Sequence, residues 1–188
     1  MKAEELIAFE NDVAMLWQAG KIKAPVHLQG GNEDQLIDIF KDIKESDWVF
    51  ASHRSHYHAL LKGIPREDVM AAIVKGDSIK LDFPEYRFKT SGIVAGQVPQ
   101  AVGVALAGET VWCFVGDMAA QTGMFSESLR FSQRMDLPII FVIEDNGKSV
   151  CTPTQECWPS LSVSGSKVIR YYYDNTWPHQ GTGVRVEF

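Results

Sequence analysis

The sequence predicts an α/β fold, a central and mainly parallel sheet flanked by helices. Two observations carry that expectation. Two short apolar runs, residues 111–115 and 138–143, are separated by a helix-spaced segment at 125–135. Strand, helix and strand in this order form a βαβ unit, and runs this apolar suit a parallel sheet buried on both faces. Each run also stops abruptly at polar residues, Gly116-Asp117 after the first and Glu144-Asp145-Asn146 after the second.

The remaining elements follow from local pattern. Residues 4–19 place Leu6, Phe9, Val13, Leu16 and Trp17 on one helical face, and Gly20 stops the helix. A second helix is expected over 32–43, capped by Asn32, with Leu36, Ile37, Ile39, Phe40 and Ile43 as its apolar stripe. A third runs over 66–74, with Pro65 before it and Gly76 after it. Residues 76–91 are polar and aromatic without a period, which reads as a loop crossing the surface. The Ala-, Val- and Gly-rich stretch 99–107 reads as a tightly buried helix, and 167–173 as a third strand. Phe125, Leu129 and Met135 are expected in the core. No linker or internal repeat divides the chain, so residues 1–188 are read as a single domain with a helical amino-terminal region.

Composition narrows the function classes. A chain of 188 residues with 45% apolar and 22% charged residues can bury a substantial core, which excludes disorder as the dominant state. A formal charge of −6 argues against a nucleic-acid or anionic-membrane surface. The three cysteines lack metal-ligand spacing and fit a reducing compartment. With no membrane-length apolar run and no signal-peptide pattern, a cytoplasmic location is expected.

Ligands of open parallel sheets sit beyond the carboxyl ends of the strands. A right-handed crossover would bring Asp117 and Asn146 to the same edge. A carboxylate and an amide oxygen suit Mg²⁺ or Ca²⁺ rather than zinc, and Mg²⁺ commonly shares its shell with phosphate oxygens. Backbone N–H groups of residues 118–121 could receive that phosphate. The competing reading is plain: an Asp after a strand is often only a cap or turn residue. A zinc reading of His53-x-x-His56-x-His58 is also open from ligand type, although no Cys or further His pattern completes a tetrahedral set.

The stretch Gly116-Asp117-Met118, then 26 residues, then Asp145-Asn146, resembles the thiamine diphosphate motif. The segments 116–129 and 137–146 resemble the alpha subunit of thiamine-dependent 2-oxo acid dehydrogenases of the pyruvate dehydrogenase type. Segments 92–99, 52–58 and 26–33 have counterparts there in the same order, so the likeness covers roughly residues 10 to 155. The resemblance implies the thiamine diphosphate-binding fold, specifically its diphosphate-binding domain. It implies Mg²⁺ held by Asp117, Asn146 and the backbone carbonyl of Lys148, and diphosphate contacts from the amides of Met118 and Ala119. Arg54 would pair with the diphosphate, His53 stands beside it, and Gly92 and Val94 would bond the aminopyrimidine through backbone atoms. His56 matches the family's histidine and is the expected catalytic side chain.

Four departures from the family pattern stand out. Met118 replaces the motif's last glycine, and Asp145 replaces its first asparagine. The 76–91 segment lacks the family's glycine-rich, histidine-containing loop, and the usual carboxy-terminal helices have no counterpart. No residue matches the glutamate that activates the aminopyrimidine. The resemblance therefore implies a separate beta-type subunit that supplies it, with a heterotetramer as the expected assembly. The expected reaction is decarboxylation of a 2-oxo acid with acyl transfer. A transketolase- or carboligase-type half acting on a ketose, and a non-catalytic scaffold subunit, are the alternatives.

Overall fold

A computed structural model describes residues 1–158, 165 and 167–184. In chain order these form α1 (Ala3–Gln18), α2 (Glu33–Phe40), β1 (Trp48–Ala51), α3 (His56–Leu61), α4 (Arg66–Lys75), β2 (Asp82–Phe83) and β3 (Phe88–Thr90). They continue as α5 (Gln97–Leu106), β4 (Val111–Gly116), α6 (Gly123–Arg134), β5 (Ile139–Asp145), β6 (Lys148–Ser149), β7 (Thr152–Pro153), α7 (Thr154–Cys157) and β8 (Val168–Tyr172). No helix among the described residues is long and apolar enough to cross a membrane.

Six strands pair in the order β2-β3-β1-β4-β5-β8. All pairings are parallel except the short β2–β3 edge. Side chains of β4 alternate between two cores. Trp112 and Phe114 join Leu6, Phe9 and Leu36 of the amino-terminal helices on one face. Val111, Cys113 and Val115 join Val98, Ala101 and Phe125 of α5 and α6 on the other. Burial on both faces is why this run is continuously apolar.

The strand order reverses at β1. From β1 the chain passes to β3 on one side, then returns to β4 on the other. Loops leave the carboxyl ends of β1 and β4 in opposite directions, and a crevice opens between them.

Residues 76–91 are more than the expected surface loop. They carry β2, a 3₁₀ turn and β3, whose Phe88 is fully buried and whose register with β1 pairs Val49 with Phe88. Two or three residues are too few to show a period, so only the partner strand reveals them. Met135 also departs from expectation. It caps α6 and is half exposed, while Phe125 and Leu129 are buried as expected.

After β8 the chain folds back as a strap across the 26–31 loop. Thr176 N–H bonds the Gly30 carbonyl at 3.2 Å, and Gly181 N–H bonds Val26 at 2.9 Å. The Gly30-Gly31 pair makes this approach possible. Gly31 has φ of +91°, and a Cβ there would lie 2.0 Å from the Asp174 carbonyl oxygen. We expect Gly31→Ala to destabilise the chain by at least about 2 kcal/mol, combining left-handed backbone strain with that clash. A urea melt checks this, and an unchanged midpoint would show that the strap does not need the close approach.

Candidate functional site

Beyond the carboxyl ends of β1, β4 and β5 lies a cavity of about 260 Å³. Ser52, His53 and Arg54 reach it from the end of β1, and Gly116 to Ala119 from the end of β4. Glu144 and Asn146 come from β5, and Lys148 to Val150 from the following hairpin. Gly92 to Ala95 form another wall. The sequence-derived candidates His53, Arg54, Gly92, Val94, Asp117, Met118, Ala119, Asn146 and Lys148 thus share one cavity.

Asp117 follows β4 directly and is only 3% exposed. Its Oδ2 accepts a hydrogen bond from the Thr154 hydroxyl, which ties the β6–β7 hairpin to the strand end. Burial raises the carboxyl above the usual carboxylate range and the Asp145 charge adds to this, while Thr154 opposes. A buried carboxylate of this kind is short of positive charge. Asn146 Oδ1 accepts the Lys148 N–H at 3.1 Å, an Asx-type turn that aims the amide oxygen locally and leaves a second lone pair. Together these are hard oxygen donors of the Mg²⁺ type.

Two substitutions relative to the motif have structural accounts. Met118 has φ −69° and ψ −38°, ordinary right-handed backbone that needs no glycine. Asp145 is matched by Arg170, whose Nε donates to its Oδ2 at 2.9 Å, while its Oδ1 accepts the Gly147 N–H at 2.9 Å. The added negative charge therefore has its own counter-ion. The first internal bond of the turn after Met118 runs from Gln121 N–H to the Met118 carbonyl at 3.0 Å. The amides of Met118 and Ala119 precede it and are not consumed by the turn, although the Met118 N–H already faces the Asp117 carboxyl.

Arg54 is braced by carbonyls: its Nε donates to Leu28 at 3.1 Å and its Nη2 to His179 at 3.3 Å. Tyr173 stands against it, with burial first and the Glu144 charge next pushing its hydroxyl up to about 12. Burial lowers His27 to about 4 and His53 to about 3, and Arg54 adds to both shifts. These rings are neutral at physiological pH.

The family model described as dehydrogenase E1 component matches residues 1–167. The chain belongs to that family. Among curated proteins, the alpha subunit of acetoin:2,6-dichlorophenolindophenol oxidoreductase from Bacillus subtilis is 31% identical over 91% of this chain and 60% of its own length. The alpha subunit of the pyruvate dehydrogenase E1 component from Porphyra purpurea is 31% identical over 73% of this chain and 47% of its own. The Cupriavidus necator acetoin:2,6-dichlorophenolindophenol oxidoreductase alpha subunit is 32% identical over 77% and 48%. The chain thus spans 47–60% of the length of these relatives.

Within this E1-family chain, one candidate lies elsewhere. His56, the expected catalytic side chain, does not line the cavity and is fully buried. Its Nδ1 lies 2.9 Å from a Glu10 carboxyl oxygen and its Nε2 2.9 Å from Ser78 Oγ. His58 is also in the core, with Nε2 3.2 Å from Glu144 Oε1. The chain turns inward after Ser55, so α3 carries both rings away from the crevice. The zinc reading of His53, His56 and His58 fails for the same reason.

Several residues of the site had no sequence-derived role. Tyr173 and His179 line the cavity and Thr154 holds Asp117 from outside it; all three arrive from distant segments, and no spacing announces them. His27 lies within a stretch that resembles the family, and Glu144 abuts the Asp145-Asn146 pair, so position alone could have flagged them.

Proposed function

We propose that this chain is the alpha-type subunit of a thiamine diphosphate- and Mg²⁺-dependent enzyme acting on a 2-oxo acid. Residues 1–188 form one diphosphate-binding domain in this reading. The observation that carries it is the convergence of a buried, cation-poor Asp117 with Asn146, Arg54 and the Met118 and Ala119 amides on a single cavity. Asp117, Asn146 and the Lys148 carbonyl would hold Mg²⁺. The two amides and Arg54 would take the diphosphate, with His53 beside them, and Gly92 and Val94 would face the aminopyrimidine through backbone atoms. Thiamine diphosphate supplies an electron sink for the carbanion formed next to a carbonyl.

What this chain does is hold and orient. Thr154 fixes the Asp117 carboxylate, the Lys148 N–H fixes the Asn146 amide, and the Leu28 and His179 carbonyls aim the Arg54 fork. Such pre-set geometry is worth more than flexible contacts, because the ligand meets donors already in place.

A second chain completes the reading. Glu144 is the one glutamate among the described cavity residues, and it is occupied: Tyr171 donates to its Oε1 at 2.5 Å. An activating carboxylate must therefore come from outside, from a beta-type subunit carrying the pyrimidine-binding domain. Ile93, Val94 and Val150 are 71%, 64% and 61% exposed on the cavity wall, which is apolar surface suited to such cover. A heterotetramer in the cytoplasm fits this arrangement. Met118 and Asp145, the residues that favoured a scaffold, are both accommodated, so the scaffold alternative has no structural motive.

Calorimetry of the co-purified complex with thiamine diphosphate and Mg²⁺ tests the proposal: binding is expected, and its absence sinks the enzyme reading. In the same assay Arg54→Lys is expected to weaken binding about 10-fold or more, because a point charge cannot replace the two-pronged guanidinium fork. Unchanged affinity would remove Arg54 from the site.

A further inference from the structure

The histidines of this chain do not stay where the sequence grouped them. His53 leaves His56 and His58 and joins His27 and His179, which come from the 26–31 loop and the strap. Ring centroids lie 4.4 Å apart for His27 and His53, 4.7 Å for His27 and His179, and 5.9 Å for His53 and His179. One ring nitrogen from each lies within 4.8 Å of the others. We infer that His27, His53 and His179 form a binding site for a divalent transition metal of the Zn²⁺ type, separate from the oxygen site around Asp117.

Four observations support it. The Nδ1 of His27 sits 2.7 Å from the His179 carbonyl, so Nδ1 carries the proton and Nε2 is left as a ligand. A backbone carbonyl on the other ring nitrogen is the usual way a metal-binding imidazole is oriented. The Nε2 of His53 is buried and has no hydrogen-bond partner, and such an orphan costs free energy unless something fills the role. Among the described residues, no carboxylate pairs with any of the three rings, in contrast to His56 and His58. Burial shifts all three rings toward the neutral form, the form that binds metal.

Three neutral imidazoles are borderline nitrogen donors, which select zinc-like ions over Mg²⁺. Zn–N bonds near 2.1 Å place tetrahedral ligands about 3.4 Å apart, so ring nitrogens now within 4.8 Å close by up to about 1.4 Å on binding. His179 rides on the strap, which can supply that movement. All three rings line the cavity, so the fourth position is left to water or an anionic oxygen. The Arg54 guanidinium beside the rings favours an anion there over a bare ion.

The test uses the full chain with Cys151→Ser and Cys157→Ser, which removes the two exposed thiols as ligands. Zn²⁺ is titrated against a chromophoric chelator at neutral pH. One ion per chain is expected, with affinity reduced about 100-fold by either His27→Gln or His179→Gln, the upper end of what even an outer-shell change costs. Asp117→Ala should leave Zn²⁺ affinity intact, which separates this site from the oxygen site around Asp117. Co²⁺ in the His-intact chain should give the intense visible bands of a tetrahedral ion, and this readout does not depend on any His variant folding. No uptake of Zn²⁺, uptake unaffected by both His substitutions, or a weak octahedral Co²⁺ spectrum would each overturn the site.

Discussion

Asp117→Asn is expected to lower thiamine diphosphate and Mg²⁺ affinity at least about 100-fold while raising the stability of the metal-free chain. The first effect follows from charge. An amide keeps the oxygen but loses the anion, and losing a direct ligand should exceed the 10–100-fold cost of an outer-shell change. The second effect follows from burial. Asp117 is almost fully enclosed, with Asp145 as a like-charged neighbour and the Thr154 hydroxyl as its side-chain donor. Its folded carboxyl is raised above its unfolded value. Its contribution to stability is therefore fully present below the unfolded value near 3.9 and is lost as pH rises through the higher folded value. Above that folded value the native chain carries a buried charge that Asn lacks. The variant should melt higher at pH 7.5, and the difference should shrink toward pH 4. Calorimetry reads the first effect and metal-free thermal melts the second. Unchanged cofactor affinity would remove Asp117 from the metal site, and a lower melting point at neutral pH would contradict the burial argument.

That opposition, stability given up where a ligand must bind, explains what the sequence disclosed. β4 and β5 are legible because both faces are buried, which leaves unbroken apolar runs. Asp117 and Asn146 stand out because polarity returns abruptly where those runs meet the crevice. β1 and β3 escape notice because they are short and flanked by polar residues, and only pairing with their neighbours makes them strands. His27 and His179 lie 152 residues apart, and Thr154 and Asp117 37 apart, so no local pattern could join them. His56 is the instructive case. It lies two residues beyond Arg54, yet the intervening Ser55 is where the chain turns into the core. A signal for its burial existed at the other end of the contact. Glu10 interrupts the apolar stripe of α1 at a position the helix period sends inward, and a buried carboxylate demands a partner.

His56→Leu follows from that pairing and should be the most damaging substitution to the fold. Glu10 is 1% exposed, and it accepts from the Gln29 backbone N–H as well as facing the His56 ring. Taking the imidazole away leaves the carboxyl buried with a single backbone donor and leaves Ser78 Oγ without its ring partner. Breaking a buried pair from one side costs about 3–5 kcal/mol. At about 2–4 °C per kcal/mol for a chain of this size, the melting point should fall by roughly 6–20 °C. Adding Glu10→Gln should recover much of that loss, because the amide oxygen still accepts the Gln29 N–H and no charge is stranded. A catalytic role predicts the reverse: a native melting point, lost turnover, and no rescue from a residue in α1. Since the His56 ring has no access to the cavity, the folded variant at low temperature should bind thiamine diphosphate with native affinity in the complex. Lost turnover at an unaltered melting point would return His56 to the chemistry, whereas rescue by Glu10→Gln would tie it to the joint between α1, α3 and the segment carrying Ser78.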